Sequence, residues 1–346
     1  MINAKVSQII DLYRFPLAVL VVFIHFTGMG KMEYLPPCYE VSGYDIYSFV
    51  RILISRVVSQ VAVPAFFLIS GYLFYKGLEQ WNWDVWWRKI KSRRQSLLVP
   101  YLLWITLYVL YERLLHVTAG GNFRLYDILF SNWYLIGSYY NCIDADTDNI
   151  SWLGTMSPTC CPIFIPFWFI RDLMFMVILS PVIFFFLNRC GKWYIIVLLL
   201  AYVSQVWPVV PGLSIRAVCF FSLGGFLSLY SFYFPKVLIK TSYVVAPGLA
   251  ILCCFCFGTI YYWYLLPWFV LSACLVLWDV GGFLVNKHFK KPPLLVKSTF
   301  FISHFSASCV ETICSKRNVS CVHVIRISLR SCHCSFPFRA DLLHHG

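Results

Sequence analysis

The feature that most constrains this chain is a series of apolar runs, each close to the length needed to cross a lipid bilayer. A helix that spans the hydrocarbon core takes roughly 20 residues. Such runs occupy residues 12–29, 57–75, 97–115, 164–187, 193–207, 217–232, 244–264 and 266–285, and a further one begins at Ser298. We therefore predict an all-α, polytopic integral membrane helix bundle of about 9–10 transmembrane helices, with the last one or two incomplete or aberrant.

Composition excludes a string of soluble domains. Of the 346 residues 60% are hydrophobic and only 12% are charged, and the mean hydropathy is +0.72. A soluble domain is about half apolar and about a quarter charged. The net charge of +13 does not require nucleic acid, because lysine and arginine mark the cytoplasmic loops of membrane proteins. We expect the lipid bilayer, and no nucleic acid, as a partner.

Loop charges predict the orientation in the membrane. Lysines and arginines collect after the second, fourth, sixth and eighth runs, and Lys236 and Lys240 close the sixth. The loop before the fourth run instead carries Asp144, Asp146 and Asp148. With a cytoplasmic N-terminus, each short basic loop obeys the positive-inside rule. We predict a multi-pass protein of the cytoplasmic (inner) membrane; the sequence leaves its oligomeric state open.

The first run carries a polar stripe. Eleven positions separate Arg14 from His25, and eleven steps of about 100° return to within about 20° of the start. The two positions lie roughly 16 Å apart along the helix axis, and Asp11 is one turn before Arg14, within reach of an ion pair. The stripe either faces an interior or a watery cavity, as functional ionisable groups do, or Arg14 snorkels to the headgroups while His25 reaches the far interface.

Other polar positions stand out inside or beside the runs. Arg88, Arg93 and Arg94 belong to a basic loop whose charges are interleaved with Trp81, Trp83, Trp86 and Trp87, which favours an amphipathic interfacial segment. Ser70, before Gly71, fits either a place near the polar stripe or a small-residue helix contact. Arg171 and Asp172 are adjacent and do not share a helix face, so we expect each to find a partner on another helix, in a structural or a substrate-binding role.

The C-terminal segment departs from this pattern. The last 49 residues hold five of the 15 cysteines and five of the eight histidines. We predict a transmembrane domain over residues 7–300 and an aberrant or disordered tail over 301–346, with a frame disruption as the favoured explanation. A metal site at Cys332–His333–Cys334 is the weaker reading, and we expect no metal.

Together these segments resemble the membrane-bound acyltransferase family 3, integral membrane enzymes that pass acyl groups, usually acetyl, onto sugars. Its motifs occur in order: the Arg14–His25 spacing, the stretch 62–72 ending in Ser70–Gly71–Tyr72, Arg93–Arg94 leading to Pro100–Tyr101, Phe167–Trp168 leading to Leu173, and Phe220–Phe221 leading to Gly224. The sequence departs at Phe300–Ile302, where a final motif begins and is not completed.

The resemblance implies an O-acyltransferase that moves an acetyl group from cytoplasmic acetyl-CoA to a hydroxyl of a carbohydrate or glycolipid of the cell surface. It implies His25 as general base or acyl-orienting residue, with Arg14 where the donor arrives. Arg88, Arg93 and Arg94 are candidates for the CoA phosphates, although a cytoplasmic loop is basic in any case. Acyl-CoA would be a co-substrate, with no permanently bound cofactor. The alternatives are a transporter or flippase for a lipid-linked sugar and an inactive, truncated homologue.

Overall fold

A computed structural model describes residues 2–25, 46–118, 153–154, 162, 167–208, 210–232 and 234–286. The run predicted to begin at Ser298, the tail 301–346 with Cys332–His333–Cys334, and the acidic loop around Asp144 lie outside these residues. The domain boundaries therefore stay a prediction. Within the described ranges the chain is helical apart from short connections and one pair of two-residue strands, which confirms the all-α class.

The first two runs form long helical segments. Helix α1 is Ile2–His25. The second run is continuous helical structure made of α2 (Ile46–Ile52), a π-helical turn (Leu53–Val57), a 3-10 turn (Val58–Val61) and α3 (Ala62–Tyr75). Its beginning at Ile46 corrects the predicted boundary at residue 57. The cause is polar sequence, since Arg51 and Arg56 interrupt the apolar pattern without interrupting the helix.

A short amphipathic helix follows. Helix α4 is Trp83–Arg93, and the Asn82 side chain caps it by accepting hydrogen bonds from the backbone N–H groups of Asp84 (2.9 Å) and Val85 (3.1 Å). A π-helical turn, Arg94–Leu98, joins it to α5, Val99–Thr118. The Lys89 ammonium lies 5.0 Å from the centre of the Phe74 ring and donates to the Phe74 carbonyl, so α4 packs against the end of α3.

The fourth run is bent. Helices α6 (Trp168–Ile178) and α7 (Ser180–Cys190) meet at 63°. Pro181 has no N–H to offer the Val177 carbonyl four residues earlier, and the Ser180 hydroxyl donates to that carbonyl instead, at 2.7 Å. The hydroxyl of Tyr75 donates to the Ser180 carbonyl at 2.7 Å, and the indole N–H of Trp86 donates to the Ser180 hydroxyl at 3.1 Å. The bend is thus held by α3 and α4.

The remaining helices complete the bundle. They are α8 (Lys192–Ser204), α9 (Ile215–Leu229), α10 (Lys236–Phe255) and α11 (Ile260–Asn286). Before α9, strand β2 (Trp207–Pro208) pairs antiparallel with β1 (Leu153–Gly154). The predicted seventh run starts too late, at residue 244, because Lys236 and Lys240 were assigned to a loop. Both lysines belong to the first turns of α10.

Several helices have membrane-spanning character. Among the described residues Ser48–Tyr75, Lys236–Phe255 and Ile260–Leu284 are long and apolar enough to cross a bilayer, and the bent pair α6–α7 together makes a fourth candidate. Shorter apolar helices cover Leu12–Ile24, Lys192–Ser204 and Ile215–Leu229. The core lies between α3 and α9, where Phe67, Tyr75, Phe220 and Phe221 are fully buried. These features confirm a membrane helix bundle.

Candidate functional site

The middle of the face of α1 that runs from Arg14 to His25 is buried in the protein. Between Arg14 and His25 the same face of the helix presents Leu17, Ala18 and Val21, whose exposed fractions are 2%, 1% and 2%. Arg14, at one end of this buried strip, is exposed. His25 is the last residue of the helix. The side chains of Asp11 and His25 lie outside the described part of the structure, so the Asp11–Arg14 ion pair stays a prediction.

Tyr13 fixes α1 against α11. Its hydroxyl donates to the Leu277 carbonyl at 2.5 Å. A Cβ added to Gly281 would lie 2.6 Å from the Tyr13 ring, so the glycine leaves room for this side chain. The sequence analysis did not single out Tyr13. Its position beside Arg14, opposite a Gly281–Gly282 pair in a long apolar helix, is the signal that could have found it.

A small apolar cleft of about 30 Å³ opens beside Tyr13 and is lined by α1, α3 and α11. The lining residues are Ile9, Tyr13, Leu17, Ala65, Leu68, Ile69, Cys274, Leu277 and Trp278. Because Ile69 lines it together with Tyr13, the half-buried Ser70 lies toward the Arg14 end of the stripe. The next residue, Gly71, makes the small-residue helix contact, packing on the backbone of Phe221.

The basic interfacial helix reaches the same end of α1. Arg93, in the last turn of α4, is half-buried. Burial and the nearby positive charge of Arg14 lower the pKa of the Arg93 guanidinium. Burial and the charge of Arg93 likewise lower the pKa of Lys89. Arg93 thus lies close enough to Arg14 for their charges to interact, and Lys89 lies one turn before Arg93 on α4, so this end of α1 is positively charged and suited to an anionic ligand.

The other two predicted loop arginines are placed differently. Arg88 and Arg94 are exposed, on α4 and on the π-helical turn after it. The structure therefore brings Arg93 to Arg14 and leaves Arg88 and Arg94 on the surface around this cluster. From that position they can supply charge to an approaching anion.

Arg171 and Asp172 correct the sequence analysis, which expected each to have its partner on another helix. They bind each other: the Arg171 Nε and Nη2 atoms lie 3.1 and 2.8 Å from Asp172 Oδ1. The long guanidinium side chain folds back across the angle between neighbouring positions on α6. Both residues are buried, and Asp172 Oδ2 also accepts from the backbone N–H of Ser214 at 3.4 Å. The pair therefore joins α6 to the beginning of α9.

Two further arginines were missed by sequence reasoning. Arg56 lies in the π-helical turn, where its backbone carbonyl accepts a hydrogen bond from the Tyr262 hydroxyl at 2.6 Å, and Arg216 lies in the first turn of α9. A cation inside an otherwise apolar helix is the signal that could have identified them.

Comparisons with known proteins bear on this site. The acyltransferase domain family matches residues 8–303, which include Arg14, His25, helix α4, Arg56 and Arg216. The chain is also 26% identical over 233 residues to the succinoglycan biosynthesis protein ExoH of Rhizobium meliloti (strain 1021). That alignment covers 66% of this chain and 55% of the relative, so the chain spans about half the length of the curated relative it matches. No solved structure gives a significant match.

The described residues thus form a bundle of apolar helices with membrane-spanning character, in which one face of α1 is buried and basic residues of α1 and α4 lie near one end of that face. The chain belongs to the acyltransferase domain family that matches most of its length. The resemblance noted in the sequence is confirmed.

Proposed function

We propose that this protein transfers an acetyl group from cytoplasmic acetyl-CoA to a hydroxyl of a cell-surface carbohydrate or glycolipid. The observation that carries the proposal is the α1 stripe: an exposed Arg14 gathered with Arg93 at one end, a buried face in the middle, and His25 at the other. Acyl transfer from CoA needs a site that binds the phosphates of the donor and a base that deprotonates the acceptor hydroxyl. The pantetheine chain of CoA sets the distance between the two.

The donor end is the cation cluster. The phosphates of acetyl-CoA would bind Arg14, Arg93 and Lys89, with the exposed Arg88 and Arg94 drawing the anion toward them. Guanidinium groups suit this role because they pair with phosphate in a two-pronged geometry. The pantetheine arm would extend roughly 16 Å along α1 toward His25, and the helices packed on Leu17, Ala18 and Val21 would have to separate to admit it. The basic loops support a cytoplasmic donor side and a cytoplasmic N-terminus in the inner membrane.

In the proposed chemical step His25 acts as the general base. A neutral imidazole takes the proton from the acceptor hydroxyl while the oxygen attacks the thioester carbonyl carbon. The tetrahedral intermediate collapses with cleavage of the C–S bond, and the CoA thiolate leaves and takes up the proton. The products are an O-acetyl ester and free CoA.

The chemical class of the acceptor is inferred from the name of the relative. That protein is named for succinoglycan biosynthesis, and a polysaccharide or its lipid-linked precursor as the acceptor of this chain is our extension of that name. A cleft lined by apolar residues at the donor end, beside Tyr13 and Leu17, suits the apolar part of a thioester better than a sugar.

The proposal can be tested on the product. We expect cells that express this chain to carry more O-acetyl ester on their surface carbohydrate than cells that express His25→Ala or Arg14→Ala. The ester can be measured by NMR of the isolated polysaccharide before and after mild alkaline treatment. Arg189→Ala, at an exposed position in the last turn of α7, is the matched control and should leave the ester unchanged. Equal ester content with and without the protein would contradict the proposal.

A further inference from the structure

The amphipathic helix α4 exposes two tryptophans. The side chains of Trp83 and Trp87 are 61% and 52% exposed, although large aromatic side chains gain much from leaving water. They are four residues apart, so they are neighbours on one helix face. The Trp86 ring contacts both, with its centre 5.5 Å from that of Trp83 and 5.7 Å from that of Trp87. An exposed aromatic patch held in place in this way marks a surface that a partner covers.

The other side of α4 is occupied by the protein itself. Trp86 and Ile90 pack against the main apolar core. The Trp86 indole N–H donates to the Ser180 hydroxyl at 3.1 Å, and Lys89 donates to the Phe74 carbonyl. These contacts fix the rotation of α4 about its own axis, so the fold determines which of its side chains point outward.

The outward side chains follow a defined order around the helix. With Trp83 at 0°, steps of about 100° per residue place Trp87 at about 40°. The exposed Lys91 and Arg88 follow at about 80° and 140°, and the residues that pack inward occupy the arc from about 200° to 340°. The tryptophans therefore lie between the inward-packed arc and the exposed cations. We call Trp83, Trp87, Arg88 and Lys91 the outer face of α4.

The neighbouring helices place this outer face at a membrane surface. Helix α3, before α4, ends the apolar segment Ser48–Tyr75, which is long enough to cross a bilayer. Helix α5, after α4, exposes leucines that are spaced along one helix face: Leu103, Leu107, Leu110 and Leu114. Because α4 joins the ends of these two apolar helices, it lies where hydrocarbon gives way to lipid headgroups. Tryptophan and basic residues are the side chains favoured at that depth.

The charge of α4 indicates which kind of lipid it binds. The helix carries four cationic residues and one acidic residue, Asp84. Arg88 and Lys91 are exposed and three positions apart, so both can reach a single phosphate group. Basic side chains beside a bilayer attract anionic headgroups. The positive group of a zwitterionic headgroup would offset that attraction.

We propose that the outer face of α4 binds an anionic phospholipid of the adjacent bilayer leaflet. Arg88 and Lys91 bind the lipid phosphate, and the Trp83 and Trp87 rings lie beside the glycerol group and the upper part of the acyl chains. A lipid bound there holds α4 from the outside, while the contacts of Trp86 hold it from the inside. This inference does not depend on the identity of the acyl donor or acceptor.

The test uses thermal unfolding of the full chain in dodecyl maltoside, without acetyl-CoA because Arg88 also lies on the proposed approach of the donor. Dioleoyl phosphatidylglycerol is titrated into the micelles, and dioleoyl phosphatidylcholine and inorganic phosphate are the comparison arms. We expect phosphatidylglycerol alone to raise the unfolding midpoint of the parent in a saturable way. In Arg88→Gln/Lys91→Gln the half-saturating mole fraction should rise about 25-fold, as loss of two charges near the headgroups predicts. Arg189→Gln, at an exposed position of α7, should behave as the parent.

A second measurement locates the lipid at the tryptophans. Brominated phosphatidylglycerol, present as a small fraction in phosphatidylcholine nanodiscs, quenches the fluorescence of indole rings that it contacts. We expect stronger quenching than with the same fraction of brominated phosphatidylcholine, and Trp83→Phe/Trp87→Phe should lose most of that difference. The substituted side chains are exposed, so both double variants should keep the unfolding midpoint of the parent when no lipid is added.

Three results would overturn the inference. Equal midpoint shifts from phosphatidylglycerol and phosphatidylcholine would show that the protein does not prefer an anionic headgroup. An equal shift from inorganic phosphate would show a phosphate site that does not need a lipid. An unchanged half-saturating mole fraction in the glutamine variant, or unchanged quenching in the phenylalanine variant, would place the lipid away from α4. If one of these variants does not fold, the other decides.

Discussion

The backbones of Gly71 and Phe221 touch across the centre of the bundle. A Cβ added to Gly71 would lie 2.0 Å from the Phe221 carbonyl oxygen, and one added to Gly224 would lie 2.0 Å from the Leu68 carbonyl oxygen. The glycine of the Ser-Gly-Tyr stretch in α3 and the glycine of the Phe-Phe-x-x-Gly stretch in α9 are therefore two halves of one contact. Two motifs that are weak signals when read separately pack directly against each other.

Replacement of either glycine should separate these helices. We expect Gly71→Ala and Gly224→Ala each to reduce the free energy of unfolding by about 3 kcal/mol, the upper end for an overpacked core, because the obstacle is backbone. Thermal unfolding in detergent measures the effect. Gly248→Ala in α10 is the matched control, since a Cβ there has nothing within 4 Å. A midpoint for Gly71→Ala equal to that of Gly248→Ala would refute the contact.

The Arg14–Arg93 cluster predicts a defect in donor binding. Arg93→Gln removes one cation from the proposed phosphate site, so we expect KM for acetyl-CoA to rise about tenfold while kcat stays within about twofold. Steady-state release of CoA thiol measures both constants. The KM of the parent should also increase with ionic strength, because part of the attraction is screened. Arg189→Gln is the control, and a fall in kcat at unchanged KM in Arg93→Gln would place this arginine elsewhere in the mechanism.

Much of the helical framework follows from the sequence, because a bilayer admits few alternatives. The shared face of Arg14 and His25 was predicted from their spacing alone; Leu17, Ala18 and Val21 between them are buried, and Arg14 itself is exposed. Periodicity suffices here because the helix is regular.

Irregular backbone and tertiary placement could not be predicted in the same way. The start of the second helical segment was misplaced because hydropathy treats Arg56 as an interruption, whereas a π-helical turn incorporates it. The direct contact between Arg171 and Asp172 was not predicted, because adjacent residues point to different faces of a helix. The long arginine side chain nevertheless reaches its neighbour. The approach of Arg93 to Arg14 depends on how α4 packs against the end of α3. Local sequence patterns do not predict the packing of one helix against another.

Replacement of Ser180 should destabilise the bend between α6 and α7. Ser180→Ala leaves the Val177 carbonyl without the hydroxyl that replaces the missing Pro181 N–H, and leaves the Trp86 indole without its acceptor. We expect a loss of about 2 kcal/mol in the free energy of unfolding. The exposed Thr241→Ala, which removes a hydroxyl bonded to a carbonyl within its own helix, is the comparison and should cost much less. Similar losses in both variants would mean that Ser180 does not support the bend.

The buried ion pair predicts a strong asymmetry between single and double variants. Asp172→Asn leaves the Arg171 charge buried beside a neutral amide, and we expect a cost of about 3 kcal/mol. The double variant Arg171→Met/Asp172→Leu removes both charges and should recover part of that loss, because no unpaired ion remains. Thermal unfolding of the single variant, the double variant and the exposed control Asp84→Asn makes the comparison. If the double variant is no more stable than Asp172→Asn, the unpaired charge is not the source of the cost.

The proposed mechanism requires that Arg14, at one end of α1, binds the donor and that His25, at the other end, takes part in acyl transfer. The direct measurement is steady-state acetyl-CoA turnover by the purified protein, comparing the parent with His25→Ala and Arg14→Ala. We predict that His25→Ala lowers kcat by about 100-fold or more with KM for acetyl-CoA little changed, as loss of a general base does. Arg14→Ala should raise that KM about tenfold. Full activity in both variants would contradict the account.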